Sequence, residues 1–202
     1  IICNKIKEYI TLVQPSNRVI IAFDGVAPLA KLEQQRIRRY KSMIEQKILN
    51  HKNSWDKRAI TPGTSFMNNL NNEVYRFFSE NTRISLGVNE IIVSGSNIKG
   101  EGEHKLFQYI RNNKSSHKHQ TTLIYGLDAD LIMLALNHLP VSKNIYLYRE
   151  TPDFIKYIDK SLNPNESYIL NIPEMSKAII STMNNGKQVN NKQQSNRLYD
   201  YI

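Results

Sequence analysis

The stretch from residue 19 to residue 40 constrains the fold of this 202-residue chain more than any other. It begins with a β-branched and aromatic run at 19–23, which is typical of a buried strand in a parallel sheet. Asp24 follows at the carboxyl end of that run, where open α/β sheets place their ligands. A glycine and a proline then predict a turn, and we expect a helix from about residue 29 to residue 50.

The predicted helix has two unlike faces. At about 100° per residue, one face combines three cations with an amide: Lys31, Gln35, Arg38 and Arg39. The opposite face is apolar, and we expect its side chains to pack against the sheet: Ile37, Tyr40, Ile44 and Ile48. A basic helix face is usually only solvated. Beside the carboxylate of Asp24, this one suits a phosphate whose ester bond is cut by carboxylate-bound metal.

Composition narrows the class of protein. A hydrophobic content of 40% is that of a globular domain. The net charge of +9 favours an anionic partner, nucleic acid first. No apolar run approaches the length of a membrane span, so no membrane partner is expected. The single cysteine, Cys3, excludes a disulfide or a cysteine-zinc site within the chain. We therefore expect a reducing intracellular compartment, either cytoplasm or nucleus.

Further strands alternate with helices along the chain, and we predict them at 90–94, 121–125 and 144–148. This alternation predicts an α/β fold with a mostly parallel central sheet flanked by helices. All of residues 1–202 are expected to belong to one domain. The Asn- and Gln-rich segment 184–196 is predicted to be a flexible loop.

Carboxylates follow three of the predicted strands: Asp24, then Glu101 and Glu103, then Asp128 and Asp130. The carboxyl ends of parallel strands meet at one edge of a sheet, so these side chains are expected to converge. Two like charges about 4 Å apart repel by about 4 kcal/mol at an effective dielectric of about 20. Divalent cations would relieve that repulsion, and oxygen ligands favour Mg²⁺ or Mn²⁺. Two such ions would suit phosphodiester hydrolysis.

Each acidic motif also has a simpler explanation. Acids favour helix N-termini in general, which would account for Glu101 and Glu103. Asp128 can cap its own helix, and Asp24 can be a hydrogen-bonded turn residue. His104 is interpreted as a histidine on a helix surface, with a role as metal ligand as the alternative. The coincidence of acids at three successive strand ends favours the metal site over these separate explanations.

The chain resembles the Xrn-type 5′→3′ exoribonucleases of the flap-endonuclease and PIN-like group in four segments: AFDGVAPLAKLEQQRIRRY (22–40), ITPGTSFM (60–67), SGSNIKGEGEHKLFQYIR (94–111) and YGLDADLIML (125–134). These segments occur in the family's order, within a motif core at residues 15–150. The resemblance implies a PIN-like fold, and catalytic and metal-binding roles for all five carboxylates. It also implies a pocket for a 5′-monophosphate formed by Lys31, Gln35, Arg38 and Arg39.

The implied activity is hydrolysis of 5′-monophosphorylated single-stranded RNA to mononucleotides with two Mg²⁺ or Mn²⁺ ions, as in mRNA decay. The family's earlier aspartate and its later Gly-Asn-Asp segment are absent. We therefore expect an incomplete domain that lacks its N- and C-terminal parts and has little activity alone. Two alternatives stay open. A structure-specific flap-type endonuclease would share the acids but not the basic face, and a catalytically inactive RNA-binding module would not need the acids.

Overall fold

The computed structural model describes residues 1–48, 55–126, 128–150, 157, 159–163, 166–186 and 190–201. By its internal contacts the chain divides into two compact units, residues 1–106 and residues 107–202, and each is described by itself. The prediction of one domain over residues 1–202 stays a prediction. Among the helices of the described residues, none combines the length and the apolar character that a membrane span requires.

The first unit contains two strands, β1 (Arg18–Ala22) and β2 (Glu90–Ser94), which pair in parallel with Ala22 opposite Ser94. Its helices are α1 (Ile2–Val13), α2 (Leu29–Ile48), α3 (Ser65–Phe77), α4 (Glu80–Ser85) and the first part of α5 (Gly102–Asn112), with a 3₁₀ turn at Lys57–Ala59. Because the two strands are parallel and in register, their carboxyl ends adjoin. The segments that follow them begin side by side.

One apolar cluster fixes the position of β1 within this unit. It buries Ile10 of α1, Ile21 of β1, and Val74, Phe78 and Val88 from the region of α3 and α4. Helix α3 begins at a capping threonine, whose hydroxyl accepts a hydrogen bond from the Met67 amide. The cluster holds the strand against two helices, and Asp24 follows immediately where the strand ends.

Helix α2 is present as predicted over Leu29–Ile48, and the expected residues 49 and 50 lie outside the described part of the chain. The prediction that its apolar face packs against the sheet is wrong, because these side chains are exposed. The exposed fractions are 59% for Ile37, 57% for Tyr40, 51% for Ile44 and 74% for Ile48. The helix is instead partly covered, mainly on its polar side, at Lys31, Gln35 and Ser42, and at the neighbouring Met43. An ion pair of Lys31 and a pocket that includes Gln35, both described below, account for this orientation.

The second unit contains a three-stranded sheet in the order β3 (Thr121–Tyr125), β4 (Asn144–Glu150), β5 (Ser167–Asn171). Strand β4 is parallel to β3 and antiparallel to β5. The helices are the remainder of α5, then α6 (Lys114–His117), α7 (Asp130–His138), α8 (Ile172–Met183) and α9 (Asn191–Tyr201). The core is formed by side chains that are fully buried: Phe107, Leu136, Ile145, Leu147 and Ile172.

The predicted α/β class with mostly parallel strands is confirmed, since two of the three strand pairings are parallel. The described strands form two sheets, one in each unit. The predicted loop at 184–196 is wrong from residue 191 onward, where α9 begins. The side chain of Asn190 accepts from the Gln193 amide at that helix start, and Leu198 is buried. Residues 187–189 of the predicted loop lie outside the described residues.

Candidate active site

The segments that leave β1 and β2 are joined through their backbones. The Gly25 amide donates to the Gly100 carbonyl at 2.8 Å, and the Gly100 amide donates to the Val26 carbonyl at 3.0 Å. Gly100 has a φ of +97°, a conformation that favours glycine. A Cβ atom on Gly25 would lie 1.8 Å from the Ile98 carbonyl oxygen. Position 25 therefore requires glycine because another backbone passes directly beside it.

Asp24 lies at this junction and contacts the start of α5. Its Oδ1 accepts a hydrogen bond of 2.6 Å from the Gly102 amide. An amide at a helix N-terminus carries a partial positive charge that favours a carboxylate. The Asp24 residue is otherwise exposed. The contact fixes the carboxylate relative to α5 and still leaves it accessible to a ligand.

Lys105 connects both strand ends, and the sequence analysis did not identify it. Its Nζ donates to the Phe23 carbonyl at 2.8 Å and to the Gly95 carbonyl at 3.0 Å. Burial lowers the pKa of the Lys105 ammonium, and the charge of Asp24 opposes that shift. Its position in the first turn of α5 was the available signal, because long helical side chains point back toward the helix N-terminus.

Glu101 is the most enclosed of the predicted acids, with a side-chain exposure of 13%. Its two carboxylate oxygens accept from the Lys31 ammonium at 3.0 and 2.9 Å. The His104 Nε2 atom lies 3.3 Å from Glu101 Oε2 and 4.0 Å from Glu103 Oε1. Lys31 thus supplies a fixed counter-charge to an acid that is 70 residues away in the chain.

Glu101, Glu103 and His104 together fit a divalent cation. One ligand atom from each lies within 4.8 Å of the others. Two carboxylates and one imidazole are acceptable ligands for Mn²⁺, and the carboxylates alone suit Mg²⁺. His104 is exposed, as expected for a surface histidine, yet its contact with Glu101 was missed. The signal was the spacing of three residues, which places both side chains on one side of a helix start.

A cavity of about 490 Å³ opens beside Asp24. Helix α2 contributes Gln35, Arg38 and Arg39 to its lining, and the strand end contributes Asp24 with its neighbours Ala22, Phe23 and Gly25. The remaining lining residues are apolar: Ile60, Pro62 and Met67. We call this cavity the basic pocket. It brings together three of the four residues predicted to bind a phosphate, and Lys31, the fourth, is not part of its lining.

In the second unit, Asp128 and Asp130 lie at the start of α7. Both residues are exposed, and Asp128 Oδ1 accepts from the Asp130 amide at 3.2 Å. This is a local turn contact rather than the helix cap that the sequence left open as an alternative, because the N-cap residue of α7 is Ala129 and makes no side-chain capping hydrogen bond. It engages one of the two oxygens of Asp128 and does not exclude a ligand. The role of both aspartates as metal ligands stays a prediction.

A parallel α/β unit that places carboxylates and a basic pocket at adjoining strand ends has the features of a metal-dependent nuclease. Comparison with known proteins identifies the family. The model for "XRN 5'-3' exonuclease N-terminus" matches residues 1–151, and the chain belongs to this family. The resemblance found in the sequence motifs is thereby confirmed.

Curated relatives include the 5'-3' exoribonuclease 2 of Emericella nidulans, 37% identical over 157 residues, which cover 63% of this chain and 15% of the relative. The enzyme of the same name from Aspergillus oryzae is 35% identical over 164 residues, which cover 67% of this chain and 16% of the relative. The enzyme of the same name from Kluyveromyces lactis is 36% identical over 154 residues, which cover 63% of this chain and 16% of the relative. The chain thus spans about 15% of the length of these relatives.

Proposed function

We propose that this chain supplies acidic and phosphate-binding residues to a 5′→3′ exoribonuclease that hydrolyses 5′-monophosphorylated single-stranded RNA to mononucleotides. The observation that carries the proposal is the basic pocket, in which Asp24 lines the same cavity as Gln35, Arg38 and Arg39. A terminal phosphate bound by the two guanidinium groups would hold the next phosphodiester near the carboxylates. The name of the relatives, 5'-3' exoribonuclease 2, supports the same activity.

The residues of the basic pocket have separable roles in this proposal. Arg38 and Arg39 make charge-assisted hydrogen bonds to the phosphate oxygens, for which the guanidinium fork is well shaped. Gln35 orients Arg39, whose Nη2 donates to Gln35 Oε1 at 3.4 Å. The apolar wall restricts the space beside the phosphate, which favours a monophosphate over a larger 5′ group. Each cut would leave a new 5′-phosphate, so the cycle can repeat.

The proposed metal ligands are Asp24, Glu101 and Glu103 of the first unit, with His104 beside them. Asp128 and Asp130 enter the proposal on the sequence resemblance alone. Two divalent ions, Mg²⁺ or Mn²⁺, would supply an activated water and stabilise the leaving oxygen. Lys31 neutralises part of the charge of Glu101, and it would be available to a 5′-phosphate only if a bound ion replaced it at that carboxylate, since it does not line the basic pocket. A role in intracellular RNA degradation, in cytoplasm or nucleus, belongs to the same proposal.

The test uses the natural full-length protein and two RNAs that differ only in a 5′-monophosphate or a 5′-hydroxyl. We expect Mg²⁺-dependent release of mononucleotides from the phosphorylated RNA and little from the other. Internal cuts that ignore the 5′ end would favour the flap-type endonuclease. Binding of RNA without any cleavage would favour the inactive RNA-binding module.

Substitution Arg38→Ala tests the pocket itself. We expect the preference for 5′-phosphate over 5′-hydroxyl RNA to fall by about 10- to 100-fold, because a hydrogen bond to a charged group contributes about 1.5 to 3 kcal/mol. Arg36→Ala is the matched control, since Arg36 is exposed on the same helix and does not line the pocket. An unchanged preference in Arg38→Ala, or an equal loss in Arg36→Ala, would remove Arg38 from the phosphate site.

A further inference from the structure

A second cavity of the first unit has a different chemical character. Its volume is about 280 Å³, and its lining consists of Asn68, Asn71, Asn72, Tyr75 and Asn97. Four of these five residues carry a side-chain amide, and none is charged. The other members from α3 lie three, four and seven positions after Asn68, so all four share one face of the helix. We call this cavity the amide pocket.

The base of the amide pocket is firmly held. Asn71 is 5% exposed. Its Nδ2 donates to Ser96 Oγ at 2.9 Å, and its Oδ1 accepts from the Ser96 amide at 3.0 Å. The Tyr75 hydroxyl accepts from the Gly95 amide at 3.2 Å. These three bonds attach the segment after β2 to α3, and they place Asn97 opposite the helix.

Three amides of the pocket remain available to a ligand. Asn68, Asn72 and Asn97 are exposed, and their side chains have no hydrogen-bond partner among the described residues. Each amide offers one acceptor oxygen and two N–H donors. Tyr75 is 43% exposed beside them. The pocket therefore combines free donors, free acceptors and an aromatic surface, without a charge that would attract phosphate.

We propose that the amide pocket binds an unpaired nucleobase of single-stranded RNA, and the choice of RNA as ligand rests on the proposed function. Bases present adjacent donors and acceptors along their edges, and an Asn amide matches the N6 and N7 atoms of adenine in a bidentate pair. Exposed bases of single strands also stack on tyrosine rings. A cavity of about 280 Å³ is large enough for a single base and small for a complete drug-sized ligand.

The amide pocket and the basic pocket share a structural element. The carbonyls of Ser96 and Ile98 lie against Gly25, which lines the basic pocket, while Asn97 between them lines the amide pocket. Met67 of α3 lines the basic pocket and the adjacent Asn68 lines the other. A strand whose 5′-phosphate occupies the basic pocket would therefore have one of its bases within the reach of the amides.

The experiment measures RNA affinity of the full-length protein without divalent metal, so that no hydrolysis occurs. The probes are 5′-phosphorylated oligoadenylates with a 3′ fluorophore, either intact or with one abasic ribose at each position in turn. For the wild type we expect one position at which base removal weakens binding by about 10-fold, as for loss of one bidentate base contact. Asn72→Leu should bind intact RNA about 10-fold more weakly and should no longer distinguish it from that abasic RNA.

The control is Asn69→Leu, the same substitution at an exposed position of α3 outside the pocket, and it should bind both RNAs like the wild type. The preference for a 5′-phosphate should be unchanged in Asn72→Leu. Absence of that preference in the wild type would contradict the proposed function but not the base contact. Wild-type affinity in Asn72→Leu, or equal losses in Asn72→Leu and Asn69→Leu, overturns the nucleobase site and favours an uncharged ligand other than RNA.

Discussion

The two acidic segments of the molecule, at Glu101 in the first unit and at Asp128 in the second, are held in opposite ways. Glu101 is 13% exposed and is paired through both oxygens with Lys31. Asp128 is exposed, and among the described residues its side chain bonds only the amide two positions further along. The first segment is fixed by distant parts of its unit, whereas the second is fixed by its own turn.

This difference shows how a cluster of like charges can be tolerated before any metal binds. In the first unit, cations from the chain itself offset the acids, with Lys31 on Glu101 and Lys105 beneath the strand ends. In the second, water screens the acids, and an exposed charge costs little in water. The first arrangement is preorganised but already neutralised in part, while the second is accessible but less ordered.

The largest expected effect comes from removing one acid of each segment. We expect Glu101→Ala and Asp128→Ala each to reduce cleavage of 5′-phosphorylated RNA by about 10³-fold, with RNA binding largely kept, as for lost stabilisation of transition-state charge. Activity near wild type in Asp128→Ala would show that the two segments do not contribute equally to cleavage. The control is Glu33→Ala, which removes an exposed acid of α2.

A smaller effect should distinguish two glycines that lie beside acids in the two units, Gly25 after Asp24 and Gly126 before Asp128. A Cβ on Gly25 meets a backbone oxygen at 1.8 Å, while a Cβ on Gly126 meets the end of the Leu131 side chain at 2.2 Å, and the end of a side chain shifts at a lower cost than a backbone atom. We expect Gly25→Ala to lower the free energy of unfolding by about 3 kcal/mol and Gly126→Ala by about 1 kcal/mol or less. Urea denaturation of both variants measures this, and equal losses would contradict the contrast in rigidity.

The smallest stability effect is expected from Lys31→Met. Because the Lys31 side chain is 44% exposed, losing its ion pair should change the free energy of unfolding by less than about 1 kcal/mol. Mg²⁺ should bind several-fold more tightly, since the ammonium no longer competes for Glu101. Calorimetric titration tests this against Lys41→Met, an exposed lysine of the same helix. Unchanged or weaker Mg²⁺ binding in Lys31→Met would show that the pair does not compete with metal.

Local patterns in the sequence were sufficient to predict strands β1 to β4 and most of the basic pocket. The run at 19–23 predicted β1, and helical spacing placed Gln35, Arg38 and Arg39 on the face that lines the cavity with Asp24. These features depend on residues close together in the chain. The metal-binding role of all five carboxylates remains a prediction, since neither the geometry nor the relatives test it.

Features that depend on distant residues were not predictable in the same way. Amphipathic spacing identifies the apolar side of α2, but it cannot say that Lys31 will pair with Glu101 and leave Ile37 and Ile44 exposed. Segment 191–196 has a polar composition typical of loops, and tertiary packing of Leu198 overrides that preference. Lys105 was missed because its position in the first turn of α5 was the only signal, and the sequence does not identify the backbone carbonyls that are its partners.

The backbone partners of Lys105 influence which substitutions the site can tolerate. Lys105 binds the carbonyl oxygens of positions 23 and 95, and a carbonyl is present whichever amino acid occupies those positions. The hydrogen bonds that connect the two strand ends therefore require a particular side chain at position 105 but not at positions 23 and 95. Sequence change at position 23 can alter the wall of the basic pocket, and with it the size of the group admitted there, while the backbone beneath the acids keeps its geometry.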